Sequence, residues 1–232
     1  MSTEDVAEAL QRLAEVLQTQ QTLGATLAGL AEVAVQSVPG CDAASVALSI
    51  EGRPATAAAT ARVALELDMV QYDLHDGPCL TAFRSLDTIR LDIVEPGDAF
   101  PHFAVAAGAK GVRGVLSVPA TWASDLVATM NLYSQRGPFD ESAAAVAAVL
   151  AAQVAIAVSR SPEFAAARAT VEEAQRNTDD QADVDLATGL LMGIQGCTAE
   201  QAIGLLDKAA LDEEQTVLGI AHRIIDQHHN SR

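Results

Sequence analysis

The thiol of Cys79 sits in Asp76-Gly77-Pro78-Cys79-Leu80, where the Asp-Gly-Pro triplet reads as a helix start. A thiol in the first turn feels the positive helix end, which lowers its pKa and makes it a candidate redox sensor, covalent attachment point or catalytic nucleophile. His75 lies four residues upstream across the Gly-Pro turn. The plainer reading is a small buried hydrophobe, and it is the one adopted, because no Cys-x-x-Cys spacing supports catalysis. Cys41, Cys79 and Cys197 are odd in number and widely spaced, which fits neither a disulfide framework nor a zinc site. His228-His229 offers two neighbouring imidazoles where a metal needs more ligands, so a solvated tail is read there. No catalytic and no metal-binding residue is assigned, and no enzyme activity is expected.

These residues must be positioned by a chain of 232 residues, enough for one or two domains with a sizeable core. Half of it is apolar but only 3% aromatic, a helix-rich composition carried by Ala and Val. The acidic start, MSTEDVAEAL, has no signal-peptide pattern. The 16-residue apolar run 143–158 is short for a bilayer span and reads as a buried helix. A cytoplasmic chain with no membrane partner is expected. The formal charge of −17 argues against broad electrostatic binding to nucleic acid.

Along the chain, residues 3–20 read as a helix with Val6, Leu10, Leu13 and Leu17 at seam spacing, able to pair two chains or to pack on a neighbouring helix. A second helix covers 23–38 and stops at Pro39-Gly40. Strands follow at 43–50, 55–60, 88–93, 114–119 and 127–133, with the loop before the last holding Trp122, Ser124 and Asp125. Helices fall at 61–72, 78–85, 103–110 and 140–160. Sequence-local strands with helices around them predict an α+β domain on an antiparallel sheet. Beyond Ser161-Pro162 a helix with Phe164, Ala167, Val171 and Ala174 meets the polar stretch NTDDQAD, which either continues as a solvated helix or opens as a hinge. Three short amphipathic helices then follow from Val184, the second capped by Thr198 with Gln201 and the third by Asp212 with Gln215.

Two resemblances emerge from this pattern. The run DMVQYDLHDGPCL from Asp68, Phe100-Pro101 before a helix, GVRGVLSVP and MNLYS resemble a GAF domain, of the type that precedes ANTAR domains in actinobacterial regulators. The order A-x-G-x-L-M, then G-C-T-A-E-x-A, A-x-x-x-L and V-x-x-I-A-x-x-I in residues 184–225 resembles the ANTAR family, whose members bind RNA hairpins and switch transcription termination. The implied organisation is an N-terminal helix (1–20), a GAF sensory domain (21–160), a connector helix (161–183) and an all-α three-helix ANTAR-like bundle (184–232). The GAF resemblance places a ligand pocket between sheet and helices, lined by Tyr72, Cys79, Phe103, Val112 and Leu116, with Arg113 to neutralise an acidic ligand. The sequence carries no ligand signature, so cofactor and small-molecule ligand are unassigned, and an empty or dimerising core is the plainer reading.

The ANTAR resemblance implies that Lys208, His222 and Arg223 contact an RNA stem-loop from a homodimer and favour an antiterminated transcript. Residues 172–232 carry twelve acidic against four basic side chains. Thr188 and Asp207 stand where the family carries basic residues, Ala210 where it has Ser, and Asp212-Glu213-Glu214 fill the segment before the third helix. The alternative is therefore an acidic face that acts by contact with another protein. A third reading, a cysteine-dependent reductase of oxidised methionine, has no supporting thiol spacing.

Overall fold

The computed structural model describes residues 11–17, 22–50, 53–95, 99–123, 125–213 and 215–229. The chain divides after Arg168 into two compact units.

In the first unit, residues 11–17 form α1; the rest of the expected 3–20 helix lies outside the described residues. Leu13 and Val16 of α1 pack against the main core. Gly29 of α2 (Leu23–Ser37) admits α1 closely, because a Cβ there would lie 2.7 Å from a Val16 methyl. Of the two uses open to the seam, packing on a neighbouring helix is thus present within the chain.

Five strands, β1 (Ala43–Ile50), β2 (Arg53–Ala59), β3 (Ile89–Asp92), β4 (Gly114–Trp122) and β5 (Asp125–Ser134), form one antiparallel sheet in the order β2-β1-β5-β4-β3. The β4–β5 connection is tighter than the expected loop, since Trp122 pairs directly with Asp125. One sheet face is apolar. Val46, Leu116, Val118, Met130 and Leu132 meet Leu27 and Leu30 of α2 and Leu150 and Val154 of α6 (Glu141–Ser159). Asp140 caps α6 through a 2.8 Å bond from the Ala143 N–H. Among the described residues α6 is long and apolar enough to cross a membrane by length and composition, but its Ala143, Ala147, Leu150, Val154 and Val158 edge is buried in this core. The opposite face carries α3 (Arg62–Leu74), α4 (Pro78–Ser85) and α5 (Pro101–Ala109), with an apolar cluster of Leu67, Phe103, Val112, Val115 and Tyr133.

Helix α7 (Pro162–Gln195) starts in the first unit, where the Ser161 hydroxyl accepts the Phe164 N–H. It runs unbroken through the polar stretch, so the continuous helix is formed and the hinge is not. The bundle helix expected to start at Val184 is consequently the last part of α7, and ends at Gly196, whose φ of +64° suits glycine. In the second unit α8 (Ala199–Asp212) begins with the expected Thr198–Gln201 capping box. The cap of α9 (Val217–His229) differs from expectation. Asp212 is still the last helical residue of α8, and the Thr216 hydroxyl accepts the Gly219 N–H at 3.1 Å instead. Backbone helix also extends through His228 and His229, beyond the expected tail boundary. Ala187, Leu206, Ala210, Ile220 and Ala221 form the unit's core, with Val184, Leu191, Val217 and Ile224 around it.

Candidate functional site

Strand alternation turns every second residue of β1, β4 and β5 away from the apolar core and toward α3 and α4. On that face stand Ser45, Ser117, Thr129, Asn131 and Tyr133, all buried. Asn131 is paired across the sheet with Ser45 on one side and Ser117 on the other. A buried sheet face is ordinarily apolar, because each polar group there needs a partner. Helix α3 adds more polar groups, with Asp68 and Gln71 fully buried one turn apart and Tyr72 beside them.

The centre of the cluster is Asp68. Its Oδ1 accepts the Tyr133 hydroxyl at 2.6 Å and the Asn131 amide at 3.1 Å, and its Oδ2 accepts the Thr56 hydroxyl at 2.8 Å. Thr56 Oγ1 and the Tyr72 hydroxyl share a further bond at 2.9 Å. No ion pair to Asp68 occurs among the described residues. Burial raises its carboxyl above the ordinary value of 3.8, outweighing the bonds from Tyr133, Ser45, Thr56 and Asn131 that act in the other direction. Burial likewise raises the hydroxyls of Tyr72 and Tyr133, with the Asp68 charge adding to both.

Gln71 ties the two helices together. Its Oε1 accepts the Cys79 N–H at 2.7 Å and so caps α4. The cap requires Gly77, whose φ is +145° and where a Cβ would lie 2.5 Å from Gln71 Cγ and Oε1. Cys79 is fully buried below this turn. Burial pushes its thiol up to about 12, the Asp68 charge adds to the rise, and Asn131 opposes it. Burial therefore outweighs the helix end, and Cys79 has the character of a buried hydrophobe. His75 is exposed, a left-handed cap of α3 at φ +53° whose Nδ1 faces the Asp73 carbonyl.

Of the six residues expected to line a pocket, Tyr72 and Cys79 adjoin this cluster, while Phe103 and Val112 belong to the apolar part of the same layer. Leu116 lies on the other side, in the α2–α6 core, because it is one residue out of phase with Val115 and Ser117. Arg113 precedes β4 and is exposed, so it neutralises nothing in the layer.

On the second unit, two of the three residues expected to contact RNA, Arg223 and His222, already have carboxylate partners. Arg223 of α9 makes a two-bond fork with Glu213, the residue closing α8, with Nη2 to Oε1 at 2.7 Å. The bond from Arg223 holds the Glu213 carboxyl below its usual range and raises Arg223 in turn. His222 Nε2 lies 2.8 Å from Asp183 Oδ2 on α7. Lys208 and Asp207 are exposed on α8. Thr188 is buried, its hydroxyl bonded to the Val184 carbonyl at 2.8 Å, so this position points into the bundle. Ala210 is also buried in the bundle core.

A five-stranded antiparallel sheet with flanking helices agrees with the family comparison: the GAF domain model matches residues 20–159. The chain belongs to the GAF domain family. Residues 172–225 match the ANTAR domain model. GAF and ANTAR together make the chain a signal-responsive regulator, a sensory domain joined to an output domain of an RNA-binding family. No curated protein matches it in sequence. Among solved structures, the GAF domain of an Acinetobacter phosphoenolpyruvate-protein phosphotransferase is 17% identical with a TM-score of 0.53, over 68% of this chain and 93% of that one. CepR2, an N-acylhomoserine lactone-dependent LuxR family transcription factor of Burkholderia cenocepacia, is 16% identical with a TM-score of 0.53, over 71% and 99%. The free methionine-R-sulfoxide reductase of Neisseria meningitidis is 18% identical with a TM-score of 0.50, over 74% and 96%. At these identities the likeness is one of fold.

Proposed function

We propose that this chain is a cytoplasmic, homodimeric regulator of the actinobacterial type, whose GAF domain senses a small molecule and whose ANTAR end binds an RNA stem-loop to favour an antiterminated transcript. The observation that carries the reading is the ANTAR match on helices whose apolar frame is intact, with Lys208 exposed on α8 and His222 and Arg223 on α9. Specific recognition of an RNA loop needs cations for phosphates and polar or stacking groups for bases. No catalytic role is assigned to the GAF domain, since its Cys79 thiol is buried and pushed up to about 12.

A second reading has its own support. Glu213 and Asp183 already occupy Arg223 and His222, which favours contact with a protein over contact with phosphate. Filter binding of the full-length chain to a hairpin library with randomised loops separates the two. On the RNA reading, log affinity falls with log salt by about 0.7 to 0.9 per phosphate contact, and Lys208→Ala or Arg223→Ala lowers that slope by about one. Glu213→Gln frees Arg223 and tightens binding roughly threefold. Absence of salt-sensitive binding, with recovery of a basic regulatory protein in a pull-down, would favour the protein partner.

A further inference from the structure

Between Leu186 and Ala199 the second unit, elsewhere dense in carboxylates, has no charged residue. The end of α7 lies in this stretch and carries two stripes at helical spacing. Val184, Ala187, Thr188 and Leu191 form one, turned into the bundle. Leu186, Gly189, Leu190, Gly193 and Ile194 form the other, at i, i+3, i+4, i+7 and i+8 on the opposite side. Leu186 is 49% and Ile194 66% exposed, Leu190 is half-buried, and both glycines are exposed. A helix that is apolar on both sides is ordinarily covered on both. The glycines point the same way. Glycine inside a helix is less favourable than any residue but proline, and it suits places where one backbone approaches another closely. Among the described residues nothing lies within 4 Å of a Cβ built at Gly189 or Gly193, so packing within the chain does not require them. The unit is also short of core. Among the described residues, Leu206 and Ile220 are its fully buried large side chains, while six large apolar ones stand exposed. Association is one way in which so small a unit gains the core it lacks.

We propose that the outer stripe of α7 is a self-association face, on which the same stripe of a second copy packs about a two-fold axis beside Leu190. Gly189 and Gly193 let the two helices approach closely there. Charge selects the occupant. RNA needs cations, of which the stripe has none, and Asp179, Asp180, Asp183 and Asp185 on the preceding turns repel phosphate. A basic protein finds no carboxylate within the stripe to pair with. A second copy brings an uncharged apolar surface of matching shape, so that two chains of charge −17 meet here with no like charges inside the contact. The stripe is about 13 Å long. It falls short of the roughly 800 Å² per partner of a standard interface, so the pair is weak, with a dissociation constant of about micromolar order.

The inference rests on the homodimeric reading above, and the test separates the two. Sedimentation velocity of the full-length chain across the micromolar range is the experiment, and it is expected to show monomer passing to dimer. Ile194→Glu and Gly193→Gln, both at exposed positions, should raise the dissociation constant at least about tenfold with the far-ultraviolet spectrum unchanged. Val149→Glu, at a position of α6 that is 58% exposed, should leave the constant within about twofold. A dimer that survives both α7 substitutions, or that only Val149→Glu dissociates, overturns the inference and leaves the homodimeric reading standing. A chain that stays monomeric throughout overturns both. Weaker hairpin binding by Ile194→Glu in such a monomer would then assign the stripe to RNA.

Discussion

Leu206→Ala is expected to unfold the C-terminal bundle while the sheet domain stays folded. Among the described residues, the core cluster of that unit holds five buried residues, three of them alanines, so Leu206 and Ile220 supply most of its large apolar surface. Truncating a fully buried leucine costs about 3 kcal/mol, the transfer term plus the cavity left behind. A small unit with so few large side chains has about 3 to 5 kcal/mol of stability in hand. Hydrogen exchange read by mass spectrometry checks this. Peptides within 199–225 should lose protection, those from β1, β4 and β5 should keep theirs, and hairpin RNA binding should vanish. Unchanged protection in both groups would show that the bundle does not depend on the packing described.

Asp68→Asn should stabilise the protein increasingly as pH rises. The folded-state carboxyl is raised above 3.8 because burial outweighs its hydrogen bonds. Below the unfolded value both states are protonated and the residue costs nothing. Between the unfolded and folded values only the native state holds the proton, so stability falls by about 1.4 kcal/mol per pH unit until Asp68 ionises. Asparagine does not titrate. It can present its oxygen to Tyr133 and Asn131 and its nitrogen to Thr56, whose hydroxyl then donates to Tyr72. Urea unfolding of both proteins, scanned from below the unfolded carboxyl value up to neutral pH, is the measurement. A stability difference that does not change with pH would mean that burial does not raise the Asp68 carboxyl in the folded state.

The strands and most helices were legible because their apolar period is unambiguous. Ala43 to Ile50 alternates, and the α8 start carries its own capping box. The buried polar layer was not. Ser45, Ser117, Thr129 and Asn131 alternate with apolar neighbours, as solvent-facing strand residues would, and only the cover of α3 and α4 makes them buried. Asp68 and Gln71 read the same way, as the wet side of a helix, although the run from Asp68 to Leu80 that marks the family contains both. The pocket expectation also placed Leu116 with the inner layer, although it is one residue out of phase with Val115 and Ser117 and so faces the other core. On the bundle, the cations were visible but their partners were not, because Glu213–Arg223 and Asp183–His222 pairs form only when three helices meet. The capping of α9 by Thr216 was missed for a local reason. Asp212 is an equally good cap by type, but α8 retains it as a helical residue.

The central claim, that a GAF sensor here governs an RNA output, is most directly tested by single-round transcription through a terminator preceded by the tightest-binding hairpin. The account predicts that the full-length chain raises read-through and that Lys208→Ala/Arg223→Ala, folded by circular dichroism, does not. Read-through that is unaffected by the intact chain, or raised equally by the double variant, would contradict it.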